Sequence, residues 1–322
     1  MSSLTAPVLL VIYRRPDLTR RVFDAIAKAR PARLFVAADG PAAPADREAC
    51  ALTRAVVERV DWECEVLRDF SDHNLGLDRR MISALNWVFA SEESAIVLED
   101  DCLPGPSFFG FCSSLLNHYR DDGRVVHISG ECYRNRREAN DSYFFSKYPL
   151  VWGWATWRRA WNRFDPRLAG WPGFERQAGA HQLFDSRDER AYWLSTFARC
   201  HEDAASGKSS SWDYAWYFAC MTHGLSIHPA VNLVSNIGYG PLASHTREPS
   251  TLADRPVETL EDHLRHPASV VRDRQADIDT FDRRFPGALL RRQRSLRHQL
   301  GRPARWALRL ARRGLSRQRV DS

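Results

Sequence analysis

Apolar residues along this chain fall into short runs of two alternating kinds. Residues 7 to 13, PVLLVIY, form an unbroken apolar run, the pattern of a strand buried on both faces. Pro16 then opens a stretch that puts Leu18, Val22, Ile26 and Ala29 on one helical face. RLFVAADG at 33–40 predicts a second strand, ending in the turn pair Asp39-Gly40. A helix is expected from about Asp46 to Val60, with Leu52, Val56 and Val60 at helical spacing. WECEVLRD at 62–69 alternates and predicts a third strand. NLGLDRRMISALNWVF at 74–89 predicts a loop and then a helix facing inward through Ile82, Leu85 and Phe89. AIVLEDD at 95–101 is the fourth strand, Phe108 to Tyr119 the next helix, and RVVHISG at 124–130 the fifth strand. Strands alternating with helices predict an α/β fold, a mostly parallel central sheet with helices on both faces.

The pattern changes near residue 131. Residues 143 to 245 are rich in Trp and less regular, which predicts a second subregion completing a site over the sheet. Trp154, Trp157 and Trp161 fall at i, i+3 and i+7, the spacing of a helical core stripe. Trp152-Gly153-Trp154 reads as a loop instead, because Gly separates two aromatics. Residues 247–282 are polar and predict a connecting segment. The end, 283–322, is an Arg-rich tail with Leu296, Leu300, Leu308, Ala311 and Leu315 roughly on one side, interrupted by Pro303. It fits a basic amphipathic helix on an anionic membrane surface or a solvated charge run.

Charge sharpens this division. The chain of 322 residues has a net charge of +6, but 283–322 holds 13 of its 46 basic residues and one of its 40 acids. The rest carries 33 basic residues against 39 acids, a net −6. A nucleic-acid binder, whose positive charge sits on a folded face, is disfavoured. Seven cysteines without a C-x-x-C pair predict neither a disulfide framework nor a zinc site, and favour a reducing cytoplasm. No run approaches the roughly 20 apolar residues of a membrane span.

The fourth strand ends in three adjacent carboxylates, Glu99, Asp100 and Asp101. Ligands of open parallel sheets bind beyond the carboxyl ends of the strands. Mutually repelling carboxylates there suit a hard divalent cation that also holds substrate phosphates. A solvated acidic turn or a cap for the helix at Phe108 fits the same three residues. The chain has no G-x-x-x-x-G-K-[ST] loop and no G-x-G-x-x-G fingerprint, which disfavours a P-loop kinase or a dinucleotide-binding dehydrogenase. With no Gly-rich phosphate loop near the first strand, a nucleotidyltransferase is disfavoured too. Asp213, in SSSWDYAWYF, has aromatic neighbours that would raise its pKa toward that of a general base; it equally suits a helix cap.

Taken together, YRRPD after the first strand, ADG ending the second, NLGL before the next helix and LEDD ending the fourth resemble nucleotide-diphospho-sugar transferases of the GT-A fold. Glu-Asp-Asp is similar to the motif of N-acetylglucosaminyltransferase I. YPLVWGWATWRRAW, SSWDYAWYF and NLVSNIGYG resemble bacterial family 2-like glycosyltransferases. The resemblance covers about 7–246, and implies a glycosyltransferase domain over 1–246, with a nucleotide-sugar half (1–130) and an acceptor half (131–246). It implies Asp101 as ligand of Mn²⁺ or Mg²⁺, Asp100 on the ribose or donor sugar, and Glu99, where the family's Asp-x-Asp motif begins with Asp, on the donor or behind the groups that touch donor and metal. Asp39 would lie near the uracil or ribose, Tyr13, Arg14 and Arg15 beside the base, and Asn74 and Arg80 beside the nucleotide. Asp213 would be the base of an inverting transfer, and the late His245 a further metal ligand. Trp152, Gly153 and Trp154 would line the donor or acceptor site, in a segment similar to the Trp-Gly-Trp-Gly loop of galactosyltransferases but followed by Arg158 and Arg159 instead of an acidic pair. The implied reaction moves a sugar from a nucleoside diphosphate, UDP above all, to a glycan or lipid-linked acceptor on the cytoplasmic side. A retaining transferase, or an inactive membrane-associated protein that binds sugar nucleotide, fits the same residues.

Overall fold

A computed structural model describes residues 4–134, 141–177, 182–208, 211–239, 250–261 and 263–295. The first half alternates as its pattern predicts: β1 (Val8–Ile12), α1 (Pro16–Ala29), β2 (Arg33–Ala38), α2 (Arg47–Val56), β3 (Glu65–Phe70), α3 (Leu77–Ser91), β4 (Ser94–Glu99), β5 (Cys102–Pro104), α4 (Phe108–His118) and β6 (Val125–Ser129). The second half adds β7 (Tyr143–Ser146), β8 (Trp154–Trp157), α5 (Arg158–Trp161), α6 (Trp171–Glu175), α7 (Arg187–Ala205), α8 (Trp212–His223), β9 (Leu225–Pro229), β10 (Val234–Asn236) and α9 (Arg274–Arg284). A further helical run, α10, occupies 287–295.

Eight strands form one sheet in the order β3-β2-β1-β4-β8-β6-β9-β7. Six share one direction; β8 and β7 run against them. The fold is therefore α/β with a mostly parallel central sheet. All five residues of β1 are buried because it lies between β2 and β4 with helices on both faces. Side chains alternate across the sheet. Ala95 and Val97 of β4 join the layer holding α3, α7 and α8, while Ile96 and Leu98 join the layer holding α1 and α4. By the same alternation Glu99 emerges toward α8 and Asp100 toward α1.

Several boundaries differ from the sequence pattern. The third strand starts at Glu65, because Trp62 instead buries its ring and donates from Nε1 to the Pro31 carbonyl at 2.9 Å. Trp154 and Trp157 are not on a helix. They lie in β8, which inserts antiparallel between β4 and β6, so Trp154 faces one layer and Trp157 the other. Only Trp161 of that spacing is helical. The irregular half is thus part of the same sheet. The expected connector 247–282 contains most of α9, which buries Ala276, Asp277 and Phe281 against the body of the protein. Residues 296–322, most of the expected tail, lie outside the described residues. No helix of the described residues is long and apolar enough to cross a membrane.

Candidate active site

The carboxylates gather where β4 ends. Glu99 pairs in register with Val11 of β1, and Asp100 and Asp101 follow in a turn. The backbone there is held on two sides. The Asp100 N–H donates to the Val11 carbonyl at 3.0 Å, and the Ile237 N–H, after β10, donates to the Asp101 carbonyl at 2.8 Å. Antiparallel pairing of β5 with β10 brings Gly238 against Asp101 so closely that a Cβ on Gly238 would lie 2.2 Å from Asp101 Oδ2.

Arg15, ahead of α1, pairs with Asp100 and reaches Asp101 Oδ2 at 3.0 Å. It holds the acidic pair together. Burial opposes its charge, but Asp100 and Asp101 outweigh that and raise its pKa. One guanidinium does not neutralise three carboxylates. Burial first, then Asp101 and Asp100, push Glu99 up to about 8. Burial also raises Asp100, against the opposing effect of Arg15.

The hard oxygen donors gathered at Asp101 are of the kind a divalent cation takes, and Gly238 lets the Asp101 carboxylate pack against the backbone after β10. Among the described residues no three His, Cys, Asp or Glu side chains converge as a ligand set. That arrangement suits Mg²⁺ or Mn²⁺ held by one or two carboxylates and completed by phosphate oxygens, not an all-protein cage. His245 lies outside the described residues.

The other predicted nucleotide contacts separate into two groups. Tyr13 and Arg14 turn toward Asp46: the Tyr13 hydroxyl donates to Asp46 Oδ2 at 3.3 Å and Arg14 pairs with Asp46. Next to them, the ends of β2 and β3 and the start of α2 enclose a cleft of about 630 Å³, with Arg47, Arg54, Phe70 and His73 on its walls. Asp39 is occupied structurally. Its carboxylate accepts from the N–H groups of Gly40 (2.9 Å), Leu75 (2.8 Å) and Gly76 (3.1 Å) and from Asn74 Nδ2 (3.0 Å). Asp39 and Asn74 together therefore pin the loop entering α3. Arg80 is buried on that helix and pairs with Asp69.

Asp213 stands in the first turn of α8, on the layer toward which Glu99 points, and its charge contributes to the raised pKa of Glu99. It does not occupy the cap position. Asp78 accepts from the Trp212 N–H at 3.0 Å, while Asp213 Oδ1 accepts from the next residue, the Tyr214 N–H, at 2.9 Å. Burial raises the Asp213 pKa; the Tyr214 N–H and Arg284 work against the rise. Asp213 also lines a cavity of about 220 Å³.

The Trp152-Gly153 loop meets this cavity's wall through Arg284, whose guanidinium lies 4.2 Å over the Trp152 ring. Gly153 has φ +62°, and a Cβ there would lie 2.6 Å from Val234 Cγ2, so only glycine fits. Trp152 is partly exposed and meets Tyr239 edge-on at 6.0 Å. Trp154 is not at the surface of the cleft. It is 1% exposed and stacked between His127 (5.1 Å) and Trp212 (6.0 Å), where it backs the start of α8. Arg158 and Arg159 point elsewhere: Arg158 bonds the Glu92 carbonyl, and Arg159 bonds the carbonyls of Tyr119, Arg120 and Val125.

No protein-family model matches the chain, and no curated protein sequence matches it. Three solved structures show distant likeness. A UDP-glucose pyrophosphorylase complexed with UDP-glucose is 10% identical over 45% of this chain and 64% of its own, less than two thirds of its length, with a TM-score of 0.26. A mannose-1-phosphate geranyltransferase from Thermus thermophilus is 12% identical over 70% of this chain and 74% of its own, with a TM-score of 0.33. A UTP-bound UGPase from Acinetobacter baumannii is 9% identical over 71% of this chain and 88% of its own, with a TM-score of 0.36. Likenesses this remote carry no argument about activity.

Two residues of the cleft escape the sequence pattern. Glu131, just beyond β6, accepts from the Tyr133 hydroxyl at 2.9 Å and from the Trp152 N–H at 3.1 Å. Its signal was the one used for Glu99, a carboxylate just past a strand end. Arg284, at the end of α9, lies 4.2 Å over the Trp152 ring. It had no local signal, being one of many arginines near the end of the chain.

Proposed function

We propose that this protein is a metal-assisted glycosyltransferase that moves a sugar from a nucleoside diphosphate, UDP by preference, to a glycan or lipid-linked hydroxyl with inversion. One observation supports the reading: Glu99, which ends β4, and Asp213 of α8, distant in sequence, lie on the same side of the sheet near its carboxyl edge, close enough for the charge of Asp213 to act on Glu99. Mn²⁺ or Mg²⁺ held by Asp101, with His245 as a further ligand, would offset the charge on the leaving diphosphate. Asp100, fixed by Arg15, would orient the ribose or donor sugar, and Glu99 would face the donor. Asp213 would take the acceptor's hydroxyl proton as that oxygen attacks the anomeric carbon. Its raised pKa, caused by burial, supports that role. Trp152 offers an aromatic face to the sugar's C–H surface.

Thermal unfolding against UDP, GDP, CDP and dTDP, each with and without Mn²⁺, tests the donor half. A ligand at a hundredfold excess over its Kd stabilises the native state by about 2.7 kcal/mol. Stabilisation by UDP, requiring metal and lost in Asp101→Ala, is expected; silence toward all four nucleotides removes the reading. An α-to-β change of anomer in the product supports inversion, and retention assigns Asp213 to orienting substrate. The Arg-rich end beyond the body of the protein, residues 296–322 of the expected 283–322 tail, would hold the enzyme at an anionic membrane. A chain ending at residue 295 should lose co-sedimentation with anionic liposomes, and undiminished binding excludes this role for the tail.

A further inference from the structure

Arg284 is a largely buried cation, and its ion pair with Glu131 is a long one. Its side chain is 19% exposed, and its buried Nε has no hydrogen-bond partner among the described residues. Glu131 Oε1 is 3.9 Å away, beyond hydrogen-bond reach. Stacking over Trp152 holds the guanidinium in place without accepting from its N–H groups. A guanidinium has five such donors, and desolvating them is costly unless something accepts from them. Arg284 forms part of the wall of the 220 Å³ cavity, together with Asp213, Tyr192, Tyr214, Tyr217 and Phe285. That volume is below the range of about 300–1,000 Å³ for drug-sized ligands, so a single ring fits it better than an oligosaccharide. Four aromatic side chains, one carboxylate and one guanidinium make up this wall. Aromatic faces suit C–H surfaces, a carboxylate suits a hydroxyl, and a guanidinium suits paired anionic oxygens.

We infer that this cavity binds one ring of an acidic sugar, with the ring's carboxylate or phosphate forked by Arg284 and a hydroxyl turned toward Asp213. The inference rests on the transferase reading only in naming that ring as the acceptor. The donor half of the cleft is served by Asp101 and Arg15; Arg284 comes from α9, outside the segment that carries the transferase motifs, and supplies the selectivity for charge. A neutral sugar meets the same aromatic walls and the same Asp213 but leaves the guanidinium with the more distant Glu131, 3.9 Å away, as its counter-charge.

Calorimetric titration of the full chain with glucuronate, glucose and glucose 6-phosphate at fixed ionic strength tests this. At least one acidic sugar should bind about tenfold tighter than glucose, the ratio that one charge-assisted contact supplies. Arg284→Met should bring acidic and neutral sugars to the same affinity, and Arg284→Lys should keep part of the preference, retaining the charge but not the fork. Glucuronate against glucose 6-phosphate tells carboxylate from phosphate. Equal affinity for charged and neutral sugars in the native protein, no binding of either acidic sugar, or a preference that survives Arg284→Met overturns the inference. Parallel titration with UDP and Mn²⁺ separates the two readings. A UDP response without acid preference removes this inference alone. Acid preference without a UDP response leaves the cavity and removes the transferase.

Discussion

The residues of the cleft do separable jobs, and their surroundings say which. Arg15 and Asp100 are paired with one another, so their first contribution is to fix the turn that presents Asp101. Asp213 has one oxygen on the Tyr214 N–H and a place on the cavity wall, which suits a group that must meet a substrate hydroxyl. Asp213→Asn keeps the shape and removes the proposed base. It should lower kcat by about 10²–10⁴-fold, the usual range for a general base, while leaving the Kd for nucleotide unchanged. Transfer assays beside nucleotide titrations check this; an equal loss in both would place Asp213 in donor binding. Tyr13, Arg14 and Asp39 are all engaged within the protein. Each lies near the carboxyl edge of the sheet, as the motifs implied, yet each already has a protein partner.

At the scale of elements, loops are set by specific polar contacts more than by helical propensity. Asp39 accepts four N–H donors, three of them from Asn74, Leu75 and Gly76, and so ties the end of β2 to the start of α3. Gly40 beside it is required, because a Cβ would come within 2.5 Å of the His73 backbone. Hydrogen bonds to a buried charge are worth about 1.5–3 kcal/mol each and are not additive. Asp39→Ala should therefore cost about 3 kcal/mol in urea unfolding, and an unchanged midpoint would show that the α3 entry is held by other contacts. The strand carrying Trp154 and Trp157 shows the same precedence of tertiary contacts. A spacing of three and four suits a helix, but residues 154–157 lie between two open strand edges, and ladder hydrogen bonding there outweighs the local pattern.

Across the whole molecule, the sheet core contains histidines that burial keeps neutral at neutral pH. His127 is fully buried, with Nε2–H donating to the Leu150 carbonyl at 2.9 Å and Nδ1 accepting from Trp216 Nε1 at 3.2 Å. Burial lowers its pKa to about 3, and lowers that of His228 to about 4. Both values lie below that of an unfolded histidine, so acid favours the unfolded chain. This stability is present above about pH 6.5 and is lost as pH falls toward 4, by about 1.4 kcal/mol per unit for each histidine. Asp277, raised to about 7 mainly by burial, acts in the opposite sense over the same range. The clean measurement is thus a difference: between pH 6.5 and 4.5, stability of His127→Gln should fall less steeply than that of the native protein by about 1.4 kcal/mol per unit. Parallel slopes would mean that His127 is protonated in the folded state.

The linear pattern determined the α/β class and the place of Glu99, Asp100 and Asp101 at the carboxyl end of a strand, because periodicity and strand ends are local properties. It also marked Asp213 and the Trp152-Gly153 loop. It did not reveal that α9 belongs to the body of the protein, that β8 runs between β4 and β6, or that Arg284 meets Asp213 at one cavity. Those depend on which distant segments pack together, and the burial that gives an arginine or a carboxylate its role exists only once the chain has folded around it.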